Sequence, residues 1–314
     1  MSPTIDVQKL IDPEVAAVIG AIPLNLGALS DETLAAIRAG MSQRPPIELS
    51  GKVAIVDHDL AGRPGASVRV YTPDGLSGLR PCVYWVHGGG MILGTNKGDD
   101  FRFDNWCRKF NVIGVSVEYR LAPEFPYPVP VEDCYVGLKW VFDNAEQLGV
   151  DRGRIGIGGP SAGGGLAAGT ALLARDRAEV PLVFQLLIYP MIDDRQITPS
   201  SGWLDPIWPP AANTYGWKSY LGALHGTDDV PIYAAPARAT DLSRLPPALV
   251  LVGAIDGFSD EDIDYAKRLR HCGVTTDLRV YAGAPHGFDG LAAGTVVAKQ
   301  ANADVDAWIA PFLA

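Results

Sequence analysis

The run Gly158-Gly159-Pro160-Ser161-Ala162-Gly163-Gly164-Gly165 constrains this chain more than any other stretch. It follows Arg154-Ile155-Gly156-Ile157, a short apolar run that reads as a buried strand. It leads into Leu166-Ala167-Ala168-Gly169-Thr170-Ala171-Leu172-Leu173, which reads as a helix. A serine between strand and helix in a G-x-S-x-G pattern sits on a tight, strained turn with its hydroxyl exposed. The residues two before and two after must lack bulk, and here they are Gly159 and Gly163. In a chain with 35 glycines the pattern can arise by chance. It carries weight only if the rest of the chain supplies a base, an acid and a site for a developing anion.

Each of these has a candidate. His87-Gly88-Gly89-Gly90 follows an apolar run at 81–86. Glycines after a strand leave backbone N–H groups uncovered, and such donors can stabilise an oxyanion. No G-K-[S/T] follows, so this is not a phosphate-binding loop. His286, in Gly283-Ala284-Pro285-His286-Gly287-Phe288, follows the strand that ends at Tyr281. A loop beyond the C-terminal end of a sheet strand is where a base belongs. The acid falls in the loop after residues 248–252, where Asp256 sits just past the strand end and Asp260 is the second choice. Asp260, Glu261 and Asp262 also suit the first turn of a helix, where acids are stabilised regardless of function. The order serine, acid, histidine is that of the nucleophile-elbow enzymes. His87 lies too early for that order and reads as structural, while His58, His225 and His271 receive no role. The pattern therefore predicts Ser161 as nucleophile, His286 as base, Asp256 as its acid, and the N–H groups of Gly88, Gly89 and Ala162 as an oxyanion hole.

The chain in order supports an α/β protein. Residues 1–45 read as helical: Asp12-Pro13-Glu14 offers an N-cap and first-turn proline, and Ser30-Asp31-Glu32 starts a second helix, with Pro45-Pro46 as a break. Strands are predicted at 52–58, 68–71, 83–86 and 112–117, the first two joined as an antiparallel pair by Arg63-Pro64-Gly65. A helix at 130–148, the elbow strand and its helix, a strand at 183–189, a strand at 248–252, a helix at 259–271, a strand at 276–281 and a helix at 295–312 follow. That alternation implies crossovers and a parallel sheet. Residues 191–225 interrupt it, with Trp203, Trp208 and Trp217 close together, and read as an insertion over the sheet. The predicted organisation is one catalytic domain (46–190 and 226–314) with a small cap built from 1–45 and 191–225.

Composition excludes other classes. A net charge of −10 over 314 residues disfavours nucleic acid and anionic membranes as partners. No apolar run approaches the ~20 residues of a membrane span, and the N-terminus lacks the basic start and apolar core of a signal peptide. Cys82, Cys107, Cys134 and Cys272 are far apart and read as reduced thiols of a cytoplasmic protein. The five histidines show no paired ligand spacing, so no metal or other cofactor is expected.

These pieces resemble the hormone-sensitive-lipase family of bacterial esterases (bacterial family IV), within the α/β-hydrolase fold. The likeness rests on His87 to Gly90 with Gly94, Tyr119-Arg120-Leu121-Ala122-Pro123-Glu124, Glu132-Asp133, the elbow, Asp256 with Asp260-Glu261, and His286-Gly287-Phe288. Asp241-Leu242-Ser243 with Leu245-Pro246-Pro247 adds to it. The resemblance implies a mostly parallel eight-stranded sheet, helices on both faces and a helical cap. It implies hydrolysis of small-molecule esters with short- to medium-chain acyl groups, and pairing as a homodimer through the edge strand near the C-terminus. It gives Tyr119 to Glu124 a supporting role beneath the site. Pro160 departs from the family, which has an acid before the nucleophile; proline removes both a carboxylate and an N–H. Rival readings are a hydrolase of a lactone, carbamate or aryl amide, and a non-catalytic receptor of the same fold. The tryptophans of the insertion either line a pocket or form the insertion's own core.

Overall fold

In the computed structural model, residues 6–22, 25–43 and 48–314 are described; the Pro45-Pro46 break and the first five residues lie outside them. The strands are β1 (Val53–Asp59), β2 (Ser67–Pro73), β3 (Arg80–Val86), β4 (Ile113–Glu118), β5 (Val150–Pro160), β6 (Gln185–Ile188), β7 (Ala248–Gly253) and β8 (Thr276–Tyr281). They form one eight-stranded sheet in the order β1-β2-β4-β3-β5-β6-β7-β8. β1 pairs antiparallel with β2, and β2 antiparallel with β4. Every later pairing is parallel. The expected α/β-hydrolase sheet is therefore present.

The period-two alternation of β3 shows how the sheet is covered on both faces. Cys82, Tyr84 and Val86 point into one core, with the helices α4 (Val129–Asp143), α6 (Ala162–Arg177) and α8 (Ser259–His271). Val83 and Trp85 point into the other, with α1 (Pro13–Ile19), α3 (Asp100–Phe110) and α10 (Val296–Leu313). A strand buried on both faces needs a continuous apolar sequence, and Pro81 to Val86 supplies one. The remaining helices are α2 (Leu34–Ser42), α5 (Ala145–Leu148), α7 (Pro210–Leu221) and α9 (Phe288–Leu291).

Four expectations need correction. The helix predicted over 130–148 is two helices, α4 and α5, parted at Asn144. There the Asn144 side chain and backbone N–H both donate to the Trp140 carbonyl, at 2.8 and 3.0 Å, and the ladder is interrupted. The strand predicted over 183–189 is only β6, because Tyr189 turns to positive φ (35°) ahead of Pro190. Helix α3 was not foreseen, although Phe103, Trp106, Cys107 and Phe110 repeat at helical spacing. In the N-terminal segment, Asp12 caps α1 as expected, accepting from the N–H groups of Glu14 and Val15 at 2.9 and 3.3 Å. The second helix begins at Leu34, after a turn at 31–33.

Candidate active site

The loops that follow β3, β5, β7 and β8 all leave from the C-terminal ends of parallel strands, where open α/β sheets place their sites. β5 ends at Pro160, and Ser161 caps α6 with φ 57° and ψ −127°, a conformation costly for any residue but glycine. Surrounding bonds hold it there: Ser161 donates its N–H to Ile188 at 2.8 Å, and its carbonyl accepts from Gly165 and Met191 at 3.0 and 2.9 Å. The two glycines are required by close approach. A Cβ on Gly159 would lie 2.4 Å from the Val86 carbonyl oxygen, and one on Gly163 would lie 2.0 Å from the same atom. The elbow is thus wedged against the end of β3.

Ser161 Oγ lies 2.9 Å from His286 Nε2, and His286 Nδ1 lies 2.8 Å from Asp256 Oδ2. All three side chains are buried. The Asp256 and His286 loops are tied together, with Ala254 donating to Tyr281 at 2.8 Å and Ile255 to Ala284 at 3.3 Å. Asp256 Oδ1 accepts from the Phe258 N–H at 2.9 Å, which fixes the carboxylate plane. The rings of Tyr189 and Phe258 meet His286 edge-on, with centroids 4.7 and 5.0 Å away. Burial disfavours the imidazolium, but the charge and hydrogen bond of Asp256, with Asp205 and Asp289 behind, outweigh it and hold His286 above the ordinary histidine pKa.

Gly88 packs on the serine: a Cβ there would sit 3.4 Å from Ser161 Cβ and 3.0 Å from the Pro160 carbonyl oxygen. Among the described residues, the N–H groups of Gly88, Gly89 and Ala162 donate to no acceptor in the chain. The loop is braced from behind. His87 Nδ1 lies 2.9 Å from the Gly88 carbonyl, the His87 ring stacks on Tyr119 at 4.2 Å, and the Tyr119 hydroxyl donates to the His87 carbonyl at 3.0 Å. From α2, Arg38 donates to the Ile92 and Ala122 carbonyls and forms a bidentate pair with Glu124. Arg120 pairs with the buried Asp133. Tyr119 to Glu124 therefore touches the glycine loop only from beneath.

Asp260, the alternative acid, is engaged elsewhere: its Oδ2 accepts from the Ser200 N–H at 2.9 Å. Of the three tryptophans, Trp217 is wholly buried beside Tyr220 and Trp203 is half-buried. Trp208 alone reaches the site, its ring 6.5 Å from that of His286. Sequence reasoning missed Asp205. This buried carboxylate accepts from the His286 backbone N–H at 2.8 Å, and an Asp-Pro dipeptide signals only a turn, never a partner 81 residues away.

A family profile described as the alpha/beta hydrolase fold matches residues 83–290, well over half of the chain. The chain belongs to the α/β-hydrolase family. It is similar to Esterase LipI of Mycobacterium tuberculosis, 34% identical over 308 residues covering 95% of this chain and 94% of that protein. Carboxylesterase NlhH of the same species is 34% identical over 298 residues, covering 93% of each chain. The solved structure of a bacterial heroin esterase superposes with a TM-score of 0.89 at 38% identity, covering 98% of this chain and 99% of that one. Within the α/β-hydrolase family this protein stands among the hormone-sensitive-lipase-like carboxylic ester hydrolases, as the resemblance implied. None of its described helices is long and apolar enough to cross a membrane, and no cluster of His, Cys, Asp or Glu among the described residues is placed to hold a metal ion.

Proposed function

We propose that the enzyme cleaves short- to medium-chain acyl esters through an acyl-enzyme on Ser161. One observation carries this reading: a buried Ser161–His286–Asp256 chain, 2.9 and 2.8 Å per link, beside three uncommitted N–H groups. Asp256 holds the proton of His286 on Nδ1, so Nε2 faces Ser161 as an acceptor. Ser161 Oγ attacks the ester carbonyl as His286 takes its proton, and Asp256 stabilises the imidazolium. The N–H groups of Gly88, Gly89 and Ala162 receive the oxyanion. His286 passes the proton to the departing alkoxide, then activates the water that releases the acid. The described residues of the 1–45 segment (6–22 and 25–43), with 191–225, act as a cap over this site, with Trp208 as its inner wall.

Ser161→Ala should lower turnover of p-nitrophenyl acetate by about 10⁴–10⁶-fold. A fluorophosphonate should label Ser161 alone, located by mass spectrometry; labelling elsewhere, or an active Ser161→Ala, would sink the assignment. Across p-nitrophenyl esters of increasing length, rates should fall for long chains. Four unpaired cysteines, three of them buried, suit a reducing cytoplasm. β8 is a free sheet edge with Val280 exposed, the surface through which two copies would pair.

A further inference from the structure

Asp205 is a buried carboxylate that the proposed reaction does not use. It lies in the 203–208 stretch of the insertion, outside regular structure, and is 2% exposed. A carboxylate in such a place is costly unless its oxygens are fully bonded. Its Oδ1 accepts from the N–H groups of Ile207 and Trp208 at 2.7 and 2.9 Å, and its Oδ2 accepts from the His286 N–H at 2.8 Å. Among the described residues no Lys or Arg pairs with it; burial, then Asp256 nearby, push it up to about 6 against the pull of His286. A loop turn alone would need only the Oδ1 bonds, which asparagine provides as well. The Oδ2 bond to His286 is the part that a turn does not explain.

Both ends of this carboxylate lead to the site. On one side it fixes the backbone from which His286 projects. On the other it fixes Trp208, whose ring covers Gly90 so closely that a Cβ there would be 2.3 Å from Cη2. We propose that Asp205 is a positioning residue: it sets His286 from behind, adds negative charge to that of Asp256, and locks the insertion to the base and to the glycine loop. The inference rests on His286 being the base. The charged groups around His286 are Asp256 on the β7–α8 loop, Asp205 on the insertion, and Asp289 on α9, which pairs with Arg102 of α3 and accepts from Tyr189. Of the two acids outside the Ser161–His286–Asp256 line, Asp205 is the one bonded to the His286 backbone, whereas Asp289 is engaged by Arg102 and Tyr189.

The test uses Asp205→Asn and Asp205→Ser in the full chain, with Ser161 labelling by a fluorophosphonate as control. Asparagine can satisfy only one side of the site, because its amide nitrogen faces an N–H on the other. Either variant should label stoichiometrically at Ser161 but more slowly. kcat should fall about 10- to 100-fold from misplacement of the base, with KM changed by less than about threefold. Loss of the Asp205 charge should move the acid limb of kcat to lower pH. Wild-type kcat and an unmoved limb would overturn the proposal. So would a variant that loses activity and melting temperature together with the limb in place, or failure of both variants to melt cooperatively, because Asp205 would then be only structural. Failure of the wild type to label at Ser161 would instead remove the reading beneath it.

Discussion

Trp208 lies across Gly90. A Cβ on Gly90 would come within 2.3 Å of Trp208 Cη2 and 2.5 Å of Cζ2, and Gly90 has φ +62°. A Cβ on Gly216 of α7 would sit 3.4 Å from the same Cζ2 and 3.0 Å from the Gly90 carbonyl oxygen. The ring therefore meets both the loop that follows β3 and helix α7. Gly90→Ala should displace the ring and with it the geometry over the serine, lowering kcat/KM by about 100-fold. Trp208→Ala in the Gly90→Ala background should recover part of that loss, since only the φ strain remains. A double-mutant cycle in kcat/KM measures the coupling; strictly additive effects would mean that the two residues do not share this contact.

Gly163 makes a second, less forgiving contact. A Cβ there would lie 2.0 Å from the Val86 carbonyl oxygen and 2.6 Å from that of His87. Both are backbone atoms, so no rotamer change relieves the clash. Gly163→Ala should lose more than about 4 kcal/mol of stability, the range reserved for strained or overpacked cores. Urea unfolding followed by tryptophan fluorescence would check it, and a wild-type midpoint would show that β3 and α6 do not meet as closely as described.

Gly159 and Gly163 also show why the site was legible in the sequence. A strained turn leaves a local signature, because bulk is excluded at fixed offsets from Ser161. Strand ends in a parallel sheet then convert chain order into proximity, and so Asp256 and His286 could be named and were found within 2.8 Å of one another. Asp205 left no such signature. Its contact with His286 depends on how a segment without regular structure folds back, and neither period nor composition records that. The break at Asn144 was hidden for a different reason: the apolar face runs on through the position, and a side chain competing for the Trp140 carbonyl makes no mark in the hydrophobic pattern. Helix α3 had a readable pattern in Phe103, Trp106 and Cys107, overlooked beside its many charged and polar neighbours.

The pH dependence follows from His286. Desolvation opposes its charged form, but Asp256, Asp205 and Asp289 together hold its pKa above the ordinary value of ~6.5. With His286 as the proposed base the ring must be neutral, so activity should fall as pH drops through a value higher than that of an ordinary histidine. Neutralising Asp256 takes away the largest stabiliser of the imidazolium. Asp256→Asn should therefore lower kcat by about 10⁴-fold and displace any residual acid limb to lower pH. Stopped assays of p-nitrophenyl acetate hydrolysis from pH 5 to 9 would test both, and an acid limb below the ordinary histidine value in the wild type would contradict the charge arrangement.

Asp262 carries a stability prediction of the opposite kind. It lies on α8, wholly buried, and among the described residues neither carboxylate oxygen has a hydrogen-bond partner. Burial, then the neighbouring Glu261 and Asp256, raise it well above the ordinary carboxylate range. A group raised in the folded state takes up a proton on folding. Its favourable contribution is complete below the unfolded pKa of ~3.9 and is lost as pH rises through the folded value. At pH 8 the chain must bury either an unpaired charge or a proton taken up against the solution. Asp262→Asn keeps the shape and removes that cost. The variant should be more stable than the wild type at pH 8 by about 1.4 kcal/mol per pH unit between the unfolded and folded pKa, less what the unpartnered amide itself costs. The advantage should shrink toward pH 4.5, where the wild-type carboxyl is protonated on its own. Urea midpoints at the two pH values decide the matter: an equal effect at both would mean that folding does not raise the Asp262 pKa.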